Sequence, residues 1–537
     1  MNSIVSKYDV MKRVRCNNVN SFFMQPTSEY EVIQYINKLK NHKAPGKDGI
    51  RAELIKDIKE YICKPLTYIF NLIFETGIYP TQFKEAVVTP IFKTGDKKHL
   101  ENYRPISLIS NFNKILEQII KVRMNKFVTK HKLLSQKQYG FREGKSTIDA
   151  VSELVGLMYA AMDDSKPTIC VFVDLAKAFD TVSHGLLLEK LERMGFRGVS
   201  YKLFKSYFSD RKQYVKMGNS LSGECTVKYG VPQGTVLGPL FFIIYVNEIL
   251  TSNTSGTLFS YADDTAILYS GETWNDLKTN VELDLNRLIE LFERNLLTIN
   301  FSKTFYLPIT SYNSNLPDFE ELSATTANQS VKVRCTDKIK YLGVILDGNL
   351  RWKCHIEYTV QRLRGIIYKF KELKPVLTND DLFILYTALV ESLINYGILA
   401  WGGVGNLYVQ PLENIQKSFL KIILGKNRRY STEKVFEESG KFDIRQLYMF
   451  SMLNFYYKNK NLLYYVYNIY DTRSVTKKQV QIKRTIKTIG QKCFTYKGPK
   501  LYNLLPDSIK TANTFNKYKK LTKVWITDQG RTLYGTI

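Results

Sequence analysis

Three carboxylates, carried on two apolar segments far apart in the chain, are the side chains best suited to chemistry. Asp174 lies in the run TICVFVDL (Thr168 to Leu175), and Asp263 and Asp264 stand side by side inside LFSYADDTAILY (Leu258 to Tyr269). Ionised carboxylates repel one another, so acids gathered at the ends of neighbouring strands either raise one pKa or demand a cation. Oxygen-only ligation with no His or Cys close by points to Mg2+. The plain alternative is that the paired acids of YADD form an ordinary polar hairpin tip.

The elements that must position these acids are legible around them. TICVFVDL is a continuous apolar, β-branched-rich run and reads as a buried strand delivering an acid to its end. LFSYADDTAILY reads as strand, turn, strand. Between them stands GVPQGTVLGPLF (Gly230 to Phe241), where three glycines and two prolines fix a bend and admit a bulky planar partner, and Gln233 offers an amide to a base or sugar edge. Helical spacing runs from Ser183 to Met194.

Upstream, NKLKNHKAPGKDGI (Asn37 to Ile50) closes a short helical pattern with a basic loop. Helical periodicity is expected over Ala52 to Phe83 and again over Ile106 to Val128, separated by a strand, AVVTPIF (Ala86 to Phe92), broken by Pro90. A second basic loop, QYGFREGKST (Gln138 to Thr147), ends where Ser146 or Thr147 can cap a helix running to about Met162. Beyond Tyr341 the chain is mostly helical, with Ile356, Val360, Leu363, Ile367, Phe370 and Leu373 on one face and Leu382, Leu385, Leu389 and Leu393 on another. Between Asp471 and Asp507 no acid occurs while nine Lys or Arg do, alongside Phe494, Tyr496 and Tyr502. That run suits a nucleic-acid backbone, or is a solvated basic face.

Composition narrows the partners. In 537 residues, 77 Lys and Arg outnumber 50 Asp and Glu, a net charge of +27 with a pI near 9.5. The 44% hydrophobic content excludes intrinsic disorder and the length fits two to four domains. An excess of this size is what a phosphate backbone selects for, the bland alternative being a solubilising surface. Seven cysteines without a CxxC pair and five histidines outside ligand spacing exclude a disulfide framework and a zinc finger. The start, MNSIVSKYDVMKRVR, puts charges where a signal peptide needs its apolar core, so secretion is disfavoured and an intracellular place, nucleus or cytoplasm, is expected. Pro239 to Ile249 is too short to span a bilayer, and Leu382 to Trp401 carries Glu391 and Asn395, so no membrane partner is expected.

FVDLAKAFDTVSH around Asp174, GVPQGTVLGPLF and YADD, in that order and spacing, resemble the palm motifs of reverse transcriptases, most closely those of non-LTR (LINE-type) retrotransposons of the jockey group. The resemblance runs from APGKDGI at Ala44 to GPKLYNLLPDSI at Gly498 to Ile509. It implies an α+β right-hand polymerase fold: an N-terminal extension to 25, fingers over about 26–165, an antiparallel-sheet palm over about 166–347, a helical thumb over 348–470 and a basic C-terminal region over 471–537, with the reverse transcriptase domain at about 73–347. The fingers and palm boundaries are expected to interleave.

The resemblance also implies roles. Asp174, Asp263 and Asp264 match the metal-binding catalytic acids, Asp263 being the stronger ligand of its pair, whereas Asp180 matches no site residue and reads as a helix-end or surface acid. Phe179 matches the aromatic that crowds the sugar 2′-position, and Gln233 the glutamine that positions template and incoming nucleotide. In PIFKTGDKKHLENYRPISL (Pro90 to Leu108), Lys93 and Arg104 would meet the triphosphate, with Lys97 and Lys98 as competitors of Lys93. Lys303 in LLTINFSKT would protonate pyrophosphate or is a surface lysine. Tyr341, Leu342 and Gly343 in KYLGVILDGNL would grip the primer backbone. The implied activity is RNA-directed DNA synthesis from a DNA primer on an RNA template with dNTPs, using two Mg2+ ions for which Mn2+ could substitute. An endonuclease domain is expected to be absent, leaving a truncated element copy, a separately translated polymerase or a host-retained gene. Two rivals remain: a nucleic-acid-binding protein that keeps the fold without the activity, and a splicing cofactor of the group II intron maturase type.

Overall fold

A computed structural model describes residues 18–311, 315–327, 329–463 and 479–537. Most of the N-terminal extension, the last residues of the 348–470 stretch and the first of the 471–537 region therefore lie outside the described residues.

Why the 168–175 run is apolar throughout follows from where it sits. Strand β3 (Thr168–Val173) lies between β8 (Asp264–Ser270) and β9 (Phe305–Ile309) in a six-stranded sheet ordered β10-β11-β9-β3-β8-β7, with β7 at Thr257–Tyr261, β10 at Glu321–Thr325 and β11 at Ser330–Cys335. Its side chains alternate between two cores. Cys170 and Phe172 join a cluster with the helix Thr147–Asp163 and the C-terminal helices, while Ile169, Val171 and Val173 join one built on the all-round buried helix Gly238–Leu250. With a core on each face, the strand has no polar side to show. β8 repeats the pattern, Ala266 and Leu268 against Ile267 and Tyr269. The sheet is antiparallel except where β11 runs parallel to β9.

The second sheet gathers β1 (Glu85–Phe92), β2 (Tyr103–Leu108), β4 (Lys212–Met217), β5 (Ser220–Leu221) and β6 (Cys225–Thr226). Residues 212–226 thus leave the 166–347 stretch to pair with β1, which runs parallel to β4. Pro90 does not break β1. It sits opposite Pro105 in an antiparallel register in which Lys93 N–H bonds Asn102 O at 2.8 Å, so by alternation neither proline stands at a hydrogen-bonded pair. Ser107, on the same parity, sends its N–H outward to Gln233 O at 2.7 Å. Tyr103–Leu108 is therefore strand, and the helix expected from Ile106 begins only at Asn111, capped by Ser110. The expected helix over 52–83 is two, Ala52–Asp57 and Lys59–Thr76.

β12 (Lys338–Tyr341) and β13 (Val344–Asp347) make a hairpin that leads into the helix Lys353–Leu373. Its apolar face is as expected at Ile356, Val360, Leu363 and Phe370. The next stripe is so only in part: Leu382 is buried and Leu385 and Leu393 pack partly buried on the same core, but Leu389 is exposed, and the other fully buried positions are Tyr386, Val390 and Ile394. Tyr386–Glu391 is a π-helix, whose wider turn lengthens the repeat to four residues. Nor does this core stop at residue 470. The helix Ile444–Lys458 packs on the helices Phe494–Leu504 and Phe515–Gln529, and Val480, Phe494, Leu501, Tyr518 and Ile537 are buried with it. Among the described residues no helix is long and apolar enough to cross a membrane.

Candidate active site

Register brings the acids together. Val173 pairs with Thr265, which carries Asp174 to the position facing Asp264, and Tyr261 pairs with Asp264 to close a two-residue turn of Ala262 and Asp263. The segment after the helix Trp274–Arg294 fixes Asp174 from the other side. Asn300 donates its N–H to Asp174 O at 2.8 Å and its side-chain amide to Asp174 Oδ2 at 3.1 Å, and Asp174 N–H reaches Thr304 Oγ1 at 3.3 Å. Asp174 and Asp263 are half-buried, while Asp264 keeps contact with solvent.

The electrostatics confirm the crowding. The Asp263 carboxyl is raised above the usual carboxylate range, first by desolvation and then by Asp174, and is held down by Lys93 and Arg104. Asp264 is pushed up to about 6, by desolvation, then by Asp263 and Asp174. Lys93 and Arg104 are exposed on the β1–β2 hairpin, where Arg104 faces Ile91. Of the competing lysines, Lys97 lies 5.7 Å over the Phe92 ring.

The Gln233 loop sits on the same side. Gln233 Nε2 donates to Asp180 Oδ1 at 3.1 Å, so Asp180, an exposed acid as expected, is also the partner of the glutamine. Phe179 stacks on Phe242 with centroids 4.3 Å apart and meets Phe141 edge-on at 6.3 Å, while its carbonyl accepts from Val231 N–H at 2.8 Å. Beneath the loop, the fully buried Glu117 accepts from Val236 N–H (2.8 Å), Leu237 N–H (3.1 Å) and Tyr207 O–H (3.2 Å). Burial raises its pKa. Those two N–H groups lie immediately ahead of the helix Gly238–Leu250, so the carboxylate satisfies donors at the buried entrance to the helix that would otherwise be left open.

Two expected groups lie less directly. Lys303 is exposed, its N–H bonded to Asn300 O at 3.0 Å. Tyr341 is buried, packed on Phe172 at 5.3 Å with its O–H 3.4 Å from Phe259 O, so its ring faces the core and cannot lie along a sugar-phosphate chain. Leu342 and Gly343 form the β12–β13 turn, both at positive φ (+44° and +85°), a pairing of two left-handed residues that needs glycine at one of them. Tyr396 O–H donates to Leu342 O at 2.6 Å. Residues that sequence reasoning passed over are Gln138, Asn300, Asp180 and Glu117. Only the position of Gln138 and Asn300 inside the quoted QYGFREGKST and LLTINFSKT segments signalled them.

Three carboxylates without nitrogen or sulfur ligands suit a hard divalent cation. Among the described residues no three such side chains close into a ready-made cage. Asp174, Asp263 and Asp264 are the oxygen donors that would hold such an ion, with phosphate oxygens or water as its further ligands. A pH dependence follows. Because the folded-state pKa of Asp264 is raised, its contribution to stability is present at low pH and is lost as pH rises through about 6. Melting followed by fluorimetry is expected to show Tm falling between pH about 4 and about 6 without divalent cation. Millimolar Mg2+ should restore it at the upper pH and do little at the lower. An Asp264→Asn variant should lose most of that slope.

The family profile "Reverse transcriptase (RNA-dependent DNA polymerase)" matches residues 94–346, enclosing every residue above from Arg104 to Gly343. A protein named "Probable RNA-directed DNA polymerase from transposon BS" of Drosophila melanogaster is 30% identical over 411 residues, 74% of this chain and 45% of its own. "RNA-directed DNA polymerase from mobile element jockey" of the same organism is 26% identical over 406 residues, 74% of this chain and 43% of its own. The type-1 retrotransposable element R2 Pol polyprotein of Popillia japonica is 28% identical over 251 residues, 44% and 34% of the two chains. The chain spans less than half the length of these curated relatives.

Proposed function

The chain belongs to the reverse transcriptase family, of the type carried by non-LTR retrotransposons, and from that premise we propose that it is an RNA-directed DNA polymerase that extends a DNA primer on an RNA template. The observation that carries this reading is the register of β3 against β8, which sets Asp174 opposite the YADD turn, where the Asp263 and Asp264 carboxyls are raised by desolvation and then by their acidic neighbours. In this reading residues 26–165 with 212–226 are fingers, the six-stranded sheet is the palm, and the helices from Lys353 onward are the thumb.

Asp174 and Asp263 hold the divalent cations that the family uses, with Asp264 beside them. Bound Mg2+ would supply charge neutralisation and a lowered pKa at the primer 3′-hydroxyl. Asn300 aims Asp174. Arg104 and Lys93 take the triphosphate from the fingers side, the Arg104 fork suiting paired phosphate oxygens. Gln233, held by Asp180, meets the template or the incoming base, and the exposed Lys303 remains the candidate proton donor to pyrophosphate. The turn backbone of Leu342 and Gly343, rather than the Tyr341 ring, is the surface offered to the primer.

Incubation with poly(rA)/oligo(dT), dTTP and Mg2+ tests the reading: labelled dTMP enters the primer if it holds, and a protein that binds the duplex yet adds nothing is a binding module instead. Phe179, braced by Phe242 and Phe141, should act as the gate against ribose. Phe179→Val is expected to narrow the preference for dTTP over UTP by about tenfold to a hundredfold, the worth of one pocket wall, while dTMP addition stays within about threefold. The ratio of the two single-nucleotide rates is the measurement, and an unchanged ratio removes Phe179 from that role.

A further inference from the structure

Gln138 is 0% exposed, stands between two helices rather than in one, and commits its side chain to the YADD turn. Its Oε1 accepts from Ala262 N–H at 3.1 Å and from Gly140 N–H at 2.8 Å. Its Nε2 donates to Ser260 Oγ at 3.1 Å, and that hydroxyl donates onward to Ala262 O at 3.1 Å. The backbones are joined as well: Tyr139 N–H bonds Ser260 O at 2.8 Å and Ser260 N–H bonds Lys137 O at 2.9 Å. Ala262 is therefore held at its N–H directly and at its carbonyl through one hydroxyl.

Ala262 needs holding. Its φ is +62°, a left-handed conformation that a residue with a Cβ rarely adopts unless its surroundings impose it, and Asp263 is the next residue. The turn that carries the acid is thus strained, and the bonds that impose the strain come from a loop more than a hundred residues upstream.

We propose that Gln138 is a positioning residue for the catalytic turn: by fixing Ala262 at positive φ it sets the direction of the Asp263 carboxylate, and so governs the rate of nucleotide addition rather than the binding of substrates. This rests on the polymerase reading above. A misplacement of about 1 Å at reacting groups costs on the order of a hundredfold in rate. Gln138→Met keeps the volume and removes both hydrogen-bonding ends.

The test is single-turnover dTMP addition on poly(rA)/oligo(dT) by the full chain, with the dTTP dependence, duplex affinity and Tm recorded for each protein. In Gln138→Met we expect the maximal rate to fall at least tenfold while the dTTP KM and duplex Kd move less than threefold. Adding Ala262→Gly, which adopts φ +62° unaided, should recover at least threefold of the rate. A role confined to packing would not respond to that second change. A wild-type protein that adds no dTMP defeats the polymerase reading itself. A wild-type protein that works, with Gln138→Met within threefold of it, overturns the inference, as does a loss of rate that Ala262→Gly leaves untouched.

Discussion

Asp263→Asn and Asp174→Asn are each expected to lower dTMP addition by on the order of a thousandfold or more, while affinity for a primer–template duplex stays within about twofold. Asparagine keeps the shape of the side chain and much of its hydrogen bonding. At position 174 it can still accept from Asn300 through its remaining oxygen. What it loses is charge, in a place where the structure has concentrated charge at some cost: Asp263 and Asp264 are both raised by burial and by their acidic neighbours. Such a cluster persists without benefit to the folded protein unless a cation joins it. Duplex binding is expected to draw instead on the Lys and Arg excess spread over the chain. The measurement is a rate at saturating duplex together with a filter-binding isotherm; a mutant that binds and still extends at a tenth of the wild-type rate removes that acid from the chemistry.

Gly140→Ala carries the second large effect. A Cβ at this position would lie 2.5 Å from Ala262 N and 3.0 Å from Tyr261 C, both backbone atoms, and 3.2 Å from Gln138 Oε1. Backbone cannot step aside as a flexible side chain can, so the turn itself must move. Overpacking of this kind costs about 1–3 kcal/mol of stability. Here the displaced segment is the one that bears Asp263, so the rate should suffer more than the fold: at least thirtyfold in dTMP addition, with a protein that still melts cooperatively a few degrees lower. A Gly140→Ala protein with wild-type rate would mean that the loop and the turn do not act on one another.

How much of this could be read from residues alone depends on how local the governing physics is. The 168–175 run announced a buried strand because a strand with a core on both faces must be apolar throughout, and YADD announced a hairpin because two strand-like apolar runs flank a pair of acids. Pro90 misled because a proline's effect on a strand depends on the parity of its pairing, which is set by a partner strand the sequence does not specify. The Leu382, Leu385, Leu389, Leu393 stripe lost Leu389 to solvent because a π-turn changed the period inside one element. Within the site, the acids were legible from type and place. Their supports were not: Gln138, Asn300 and Glu117 act through hydrogen bonds to backbone or side-chain atoms a hundred or more residues away, and a contact of that kind leaves no periodicity. Tyr341 shows the converse, a residue whose type fitted a surface role and whose ring the fold buries.

The most direct measurement is anomalous diffraction from the protein with duplex, an incoming nucleotide that cannot react, and Mn2+ in place of Mg2+. The account predicts a peak within coordination distance, about 2.0–2.3 Å, of carboxylate oxygens from both Asp174 and Asp263. Manganese density that touches neither acid, or that joins one of them while the other points away into protein, would contradict it.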